Sequence, residues 1–146
     1  MSGTGLVVRS QRLLDAPPDR VHRAWSDPEE LSAWFCRAVH GSLLAGARST
    51  LVWSDREVDI EVLDSDPPNR FRFRWSPAPG IPPTEVTVTI DRVGFGSRVT
   101  VEDGPFDPAN PGAVQVALAG AESWGAAMAN LRARVDFGTD LRRPVR

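Results

Sequence analysis

Trp53, Phe73, Trp75, Trp124 and Met128 are the side chains of this sequence whose type and spacing point to a function. Period two along one candidate strand puts Phe73 and Trp75 on the same face, and helical spacing puts Trp124, Met128 and Leu131 on one stripe. If that face and that stripe meet, with Val88 beside them, they wall an apolar pocket. Large rings and a flexible thioether suit a pocket for an aromatic or acyl group. The same pattern is also what an ordinary core presents. Glu122 and Asn130 lie beside the helical stripe. A partly buried Glu122 has the chemistry of a general acid or base, and its plainer reading is a charge facing solvent. Ser10 and Arg12 depend on the phase of the first strand, which the sequence leaves open.

The other reactive residue types are sparse. Cys36 is the only cysteine, so no internal disulfide forms, and its place after two aromatic residues predicts a small buried hydrophobe. His22 is expected on the exposed side of a short helix and His40 in a loop, and neither has metal-ligand spacing to the other or to Cys36. No metal, cofactor or catalytic residue is assigned. All 17 basic residues are Arg; with no Lys, phosphate loops of the Walker type and Schiff-base chemistry are excluded. Tyr is absent, which removes a phenolic proton donor. Gly94-Phe-Gly-Ser97 lies between two strands, not between a strand and a helix, and so is no dinucleotide loop. A formal charge of -2 gives no general attraction to nucleic acid. No segment is apolar enough for a membrane span, no signal sequence is visible, and a cytoplasmic location is the default expectation.

The elements that must position these residues follow from periodicity. The 146 residues suit one domain, with a core of about 6–137 and a flexible tail at 138–146. Leu6 to Leu14 reads as a strand. Asp15-Ala-Pro-Pro18 opens a short helix carrying Val21, Ala24 and Trp25, and Asp27-Pro28 caps a second, after which Leu31, Trp34 and Phe35 face inward. Val58, Ile60 and Val62 alternate with Asp59 and Glu61; after a Pro-rich turn at Asp64 to Asn69, Phe71, Phe73 and Trp75 alternate with Arg70, Arg72 and Arg74. The expected register sets Ile60 against Phe73, Val58 against Trp75, Glu61 against Arg72 and Asp59 against Arg74. A second hairpin, Thr84 to Val93 and Gly96 to Glu102, sets Ile90 against Val99 and Asp91 against Arg98 around Gly94-Phe95. Val114, Leu118, Ala121, Trp124, Met128, Leu131 and Val135 then recur at helical spacing between Asn110-Pro111 and Gly138. The order is strand, two short helices, five antiparallel strands and one long helix. The fold class is α+β, a curved six-stranded antiparallel sheet wrapped around the long C-terminal helix.

Several segments carry a resemblance. Asp15-Ala-Pro-Pro-Asp-Arg-Val21 with Asp27-Pro-Glu-Glu-Leu-Ser-Ala-Trp34, then Pro68-Asn-Arg-Phe-Arg-Phe-Arg-Trp75, Gly96 to Phe106, and Ser123 to Leu131 resemble the START-like (SRPBCC) superfamily. Within it the chain is most similar to bacterial homologues of the heat-shock-protein-90 ATPase activator domain. The resemblance implies a helix-grip fold with a cavity for a small hydrophobic molecule such as a lipid, polyketide or aromatic metabolite. Its alternatives are a protein-interaction or co-chaperone-like module, and a cyclase, dehydratase or hydrolase acting in the same cavity. Enzymatic activity is the less favoured reading, and a homodimer is open. Two departures stand out. Ala45-Gly46-Ala47 replaces a Gly-Gly turn, and Ser123 replaces a Gly before the helix Trp, where a bulkier residue narrows the cavity or shifts the helix.

Overall fold

Val86, Val88 and Ile90 alternate with polar residues, as do Val99 and Val101, and that alternation builds the centre of the molecule. The computed structural model describes residues 5–142. In it, strand β1 (Leu6–Leu14) leads to helices α1 (Pro18–Ser26) and α2 (Pro28–Ser32). Strands β2 (Ala38–Gly41), β3 (Arg48–Val52), β4 (Glu57–Asp66), β5 (Arg70–Trp75), β6 (Thr84–Val93) and β7 (Gly96–Phe106) follow, and helix α3 (Pro111–Phe137) ends the fold. All strand pairs are antiparallel, in the order β1-β7-β6-β5-β4-β3-β2. The sheet therefore has seven strands, not six. The additional one is β2, an edge strand of four residues whose burial does not alternate, and it carries His40, which is thus in a strand and exposed.

The β6–β7 hairpin has the expected register, with Ile90 opposite Val99 and Asp91 opposite Arg98, around a turn where Gly94 has φ +60°. The β4–β5 hairpin is shifted by two residues. Ile60 faces Trp75, Val62 faces Phe73 and Glu61 faces Arg74, because β4 runs on to Asp66 through an irregularity between Val62 and Asp64. A shift of two preserves the inner face, since side chains alternate with period two. The outer charges re-pair accordingly. Arg74 meets Glu61 at 3.1 Å, Arg70 meets Asp64 at 2.6 Å, and Arg72 reaches across to Glu85 on β6 at 2.7 Å.

Asp27 caps α2 by accepting hydrogen bonds from the Glu29 and Glu30 amides. Asn110 caps α3 through the Gly112 and Ala113 amides, and Gly138 ends it in the left-handed conformation. The first half of α3 departs from the expected stripe. Leu118 is 62% exposed and Ala121 is also exposed, while Ala113 and Ala117 are buried. In this half of α3 the small side chains of Ala113 and Ala117 face the sheet, and Leu118 is left outside. Both oxygens of the buried Asp136 carboxylate accept from the Asp15 and Ala16 amides at 2.9 Å, fastening the end of α3 to the exit of β1. At the start of the expected tail Arg142 donates to the carbonyls of Cys36 and Ser32; residues 143–146 lie outside the described residues. Gly46 alone, at φ +87° and with open space around it, makes the turn of Ala45-Gly46-Ala47.

Candidate functional site

Inward-facing side chains of the sheet do not all find a partner in α3. Between the end of β5, the Trp53–Arg56 loop, the turn after α2 and the middle of α3 they leave a cleft of about 520 Å³. That volume is within the range of small-molecule sites. Trp53, Trp75 and Trp124 all line it, together with Phe35 and Phe106. Phe35 is the ring they share. It stacks on Trp124 at 5.5 Å and 14°, on Trp75 at 6.3 Å and 26°, and meets Trp53 edge-on at 5.3 Å. The Trp53 indole N–H donates to the Phe35 carbonyl at 2.8 Å, which fixes the turn.

Most of the remaining residues considered from the sequence fall elsewhere. Phe73, Val88, Met128 and Leu131 are fully or almost fully buried in the core behind the cleft and do not line it. Glu122 is exposed and is not on the cleft wall, because the helix turns it away from the sheet. Asn130 and Ser123 do line the cleft, Ser123 at its exposed rim. The phase of β1 is now fixed. Ser10 and Arg12 share the face of the buried Val8 and Leu14, and Arg12 lies against α3 with its guanidinium 3.5 Å from the Gly125 carbonyl.

The acid in the cleft is Asp103, which the sequence reading did not single out. It is 3% exposed and lines the cavity. Thr84 Oγ1 donates to its Oδ1 at 2.6 Å and Trp124 Nε1 donates to its Oδ2 at 3.1 Å. The Trp75 indole N–H is within electrostatic reach but outside hydrogen-bond geometry, and it has no partner. Burial raises the Asp103 pKa, and the donors from Thr84 and Trp124 only partly offset it. The signal was present in the sequence: Ser97, Val99, Val101 and Asp103 share one phase of β7.

His22 is buried, not exposed, because α1 lays that side against β5. Its ring meets Phe71 edge-on at 6.2 Å, Nε2 is 3.2 Å from the Arg70 carbonyl, and Nδ1 is 3.2 Å from Ser26 Oγ. Desolvation lowers its pKa below 6.5. The folded state therefore binds fewer protons than the unfolded one, so the His22 contribution is complete above pH 6.5 and is lost as pH falls toward the folded-state value. Asp103 acts with the opposite sign: its contribution is present below 3.8 and lost as pH rises through its raised value. Between pH 7.5 and 5 the urea midpoint of the native chain is expected to decline relative to that of His22→Asn, in which the Asp103 contribution is unchanged. Parallel curves for the two would refute the assignment to His22.

Cys36 is buried and its thiol is pushed up to about 11 by desolvation, which makes it inert as a nucleophile at neutral pH. Among the described residues no cluster of three or more His, Cys, Asp or Glu is placed to hold a metal. No helix among them is long and apolar enough to cross a membrane.

The model of the family described as activator of Hsp90 ATPase homolog 1-like protein matches residues 15–136. Among solved structures the chain is similar to DynU16, a protein in the dynemicin biosynthetic locus. The TM-score is 0.80 at 29% identity, over 94% of this chain and 49% of that one, so this chain spans about half of DynU16. CalU16 from Micromonospora echinospora aligns with a TM-score of 0.71 at 21% identity, over 91% of this chain and 83% of its own. The Aha1 dimer from Colwellia psychrerythraea gives 0.78 at 14% identity, over 92% and 98%. These last two likenesses are of fold. No curated protein matches in sequence.

Proposed function

We propose, on the premise that this chain belongs to the family of activator of Hsp90 ATPase homolog 1-like proteins, that it binds a small hydrophobic ligand in the cleft between its sheet and α3. The observation that carries this reading is the aromatic wall, with Phe35, Trp53, Trp75 and Trp124 in mutual contact through Phe35, around one buried acid in a space of about 520 Å³. An aromatic metabolite fits such a wall better than a long acyl chain, because rings gain from offset and edge contacts beyond area burial. DynU16, encoded in a biosynthetic locus, supports a small organic molecule as the occupant.

The interaction-module alternative draws less support. The outer arginines it would use, Arg70, Arg72 and Arg74, are each paired within the sheet, with Asp64, Glu85 and Glu61. The catalytic alternative now has a candidate group in Asp103, in place of Glu122.

Ala126 lies on the exposed side of the cleft wall, so Ala126→Trp fills the site from α3 without entering the core. Binding of the neutral fluorophore N-phenyl-1-naphthylamine, followed by its emission, is expected to weaken at least about tenfold in this variant, or about 1.4 kcal/mol. Unchanged affinity, with the fold intact by circular dichroism, would place the occupant elsewhere.

A further inference from the structure

The cleft has an apolar body and guanidinium groups at its mouth. Two guanidinium groups, Arg56 and Arg142, are among its lining residues, and the only carboxylate among the described lining residues is Asp103 at its buried end. The two arginines differ in their ties. Arg142 is anchored, donating to the Cys36 and Ser32 carbonyls and pairing with Asp140 at 2.9 Å. Arg56 rests over the Trp53 ring, with Cζ 4.9 Å from its centroid. Its guanidinium forms no ion pair with a described carboxylate, including its sequence neighbours Asp55 and Glu57, although every outer-face arginine of β5 is paired. An exposed cation stacked on a wall ring is held at the rim of the cleft and keeps its donors for an acceptor arriving there.

We propose that the cleft recognises an aromatic anion: a ring system lodged among Phe35, Trp53, Trp75 and Trp124, with its carboxylate or sulfonate at the mouth on Arg56. This rests on the ligand-binding reading above and narrows it to one chemical class. The polarity of the cleft sets the orientation. The anionic end stays at the arginine rim, because the far end offers a buried carboxyl that disfavours a second negative charge. A neutral oxygen or an edge of the ring system faces Asp103 instead.

Two fluorophores with one skeleton separate the claims. 1-Anilinonaphthalene-8-sulfonate is N-phenyl-1-naphthylamine with a sulfonate added. The sulfonated probe is expected to bind roughly tenfold more tightly than the neutral one at low salt. Arg56→Gln is expected to erase most of that advantage, read as the ratio of the two probes' affinities in each variant, and added salt is expected to act on the sulfonated probe alone. Ala126→Trp must weaken both, which shows that both occupy the cleft. Equal affinities for the two probes, or an advantage that survives Arg56→Gln, would overturn the anion assignment and leave the apolar cleft standing. Binding of neither probe would overturn both readings.

Discussion

Trp124→Ala is expected to cost about 3–5 kcal/mol of unfolding free energy, the usual range for deleting a buried large aromatic side chain. Trp124 is 3% exposed and joins the two halves of the molecule. From α3 it reaches Phe35 on the turn after α2, Trp75 on β5 at 5.6 Å and Trp25 on α1 at 6.2 Å. Its N–H also supplies one of the donors to Asp103. Trp124→Phe separates these roles. It keeps most of the ring packing and removes the donor, so a loss of about 1–2 kcal/mol is expected, near the cost of one buried hydrogen bond. Urea denaturation of both variants at pH 7 makes the comparison. Equal losses would mean that the hydrogen bond, not the rings, holds the helix to the sheet.

Gly96→Ala is expected to cost about 3 kcal/mol, the upper part of the range for overpacking. An added Cβ would stand 2.2 Å from the Leu14 carbonyl oxygen and 3.3 Å from the Asp15 Cα, both backbone atoms that cannot rotate away. The end of β1 would have to separate from β7, where Ser97 pairs with Leu14 and donates a 2.8 Å hydrogen bond to the Ala16 carbonyl. Gly94→Ala is the matched control two residues away. Its space is open and its φ is +60°, so only the conformational cost of about 1 kcal/mol is expected. Hydrogen exchange of the β1 amides should accelerate in the first variant alone. Similar destabilisation by both would indicate that turn conformation, not the clash, dominates.

What the sequence made legible depended on how local the determining interactions are. The β6–β7 pairing was readable because unbroken alternation on both strands meets a two-residue turn, which leaves no freedom in the register. The β4–β5 pairing was readable in its faces and not in its register, since the irregularity near Leu63 is set by tertiary packing and leaves no mark in the alternation. The short β2 carries too few residues to show any period. On α3 the apolar count favoured Leu118 as a core residue. The helix instead turns Ala113 and Ala117 inward, a rotation set by its packing on strands far away in sequence.

The site divides in the same way. Trp53, Trp75 and Trp124, conspicuous in the sequence as large aromatic residues, line the cleft, whereas Val88, Met128 and Leu131 share the same inward pattern and lie behind the wall. Periodicity separates inside from outside and does not separate the lining of a cavity from the packing beneath it. Asp103 was passed over because an acid at an inward position is normally an argument against burial. Thr84 and Trp124 reverse that argument by satisfying both oxygens, and neither contact is visible along the chain.

Phe35, the ring that meets Trp53, Trp75 and Trp124, is borne neither by a strand nor by a helix but by the connector 33–37 between α2 and β2. Its backbone is moored locally, its N–H donating to the Leu31 carbonyl at 2.9 Å and its carbonyl accepting from the Trp53 indole at 2.8 Å, rather than by a ladder. The scaffold and the contour of the cleft are thus written in separate stretches of sequence. Trp34 and Cys36 on either side of Phe35 are buried anchors in the core. Changing Phe35 alone would recut the cleft for a different guest while those anchors and every β-ladder stayed in place, so on this architecture a change of guest is an edit to one loop side chain and not a redesign of the sheet.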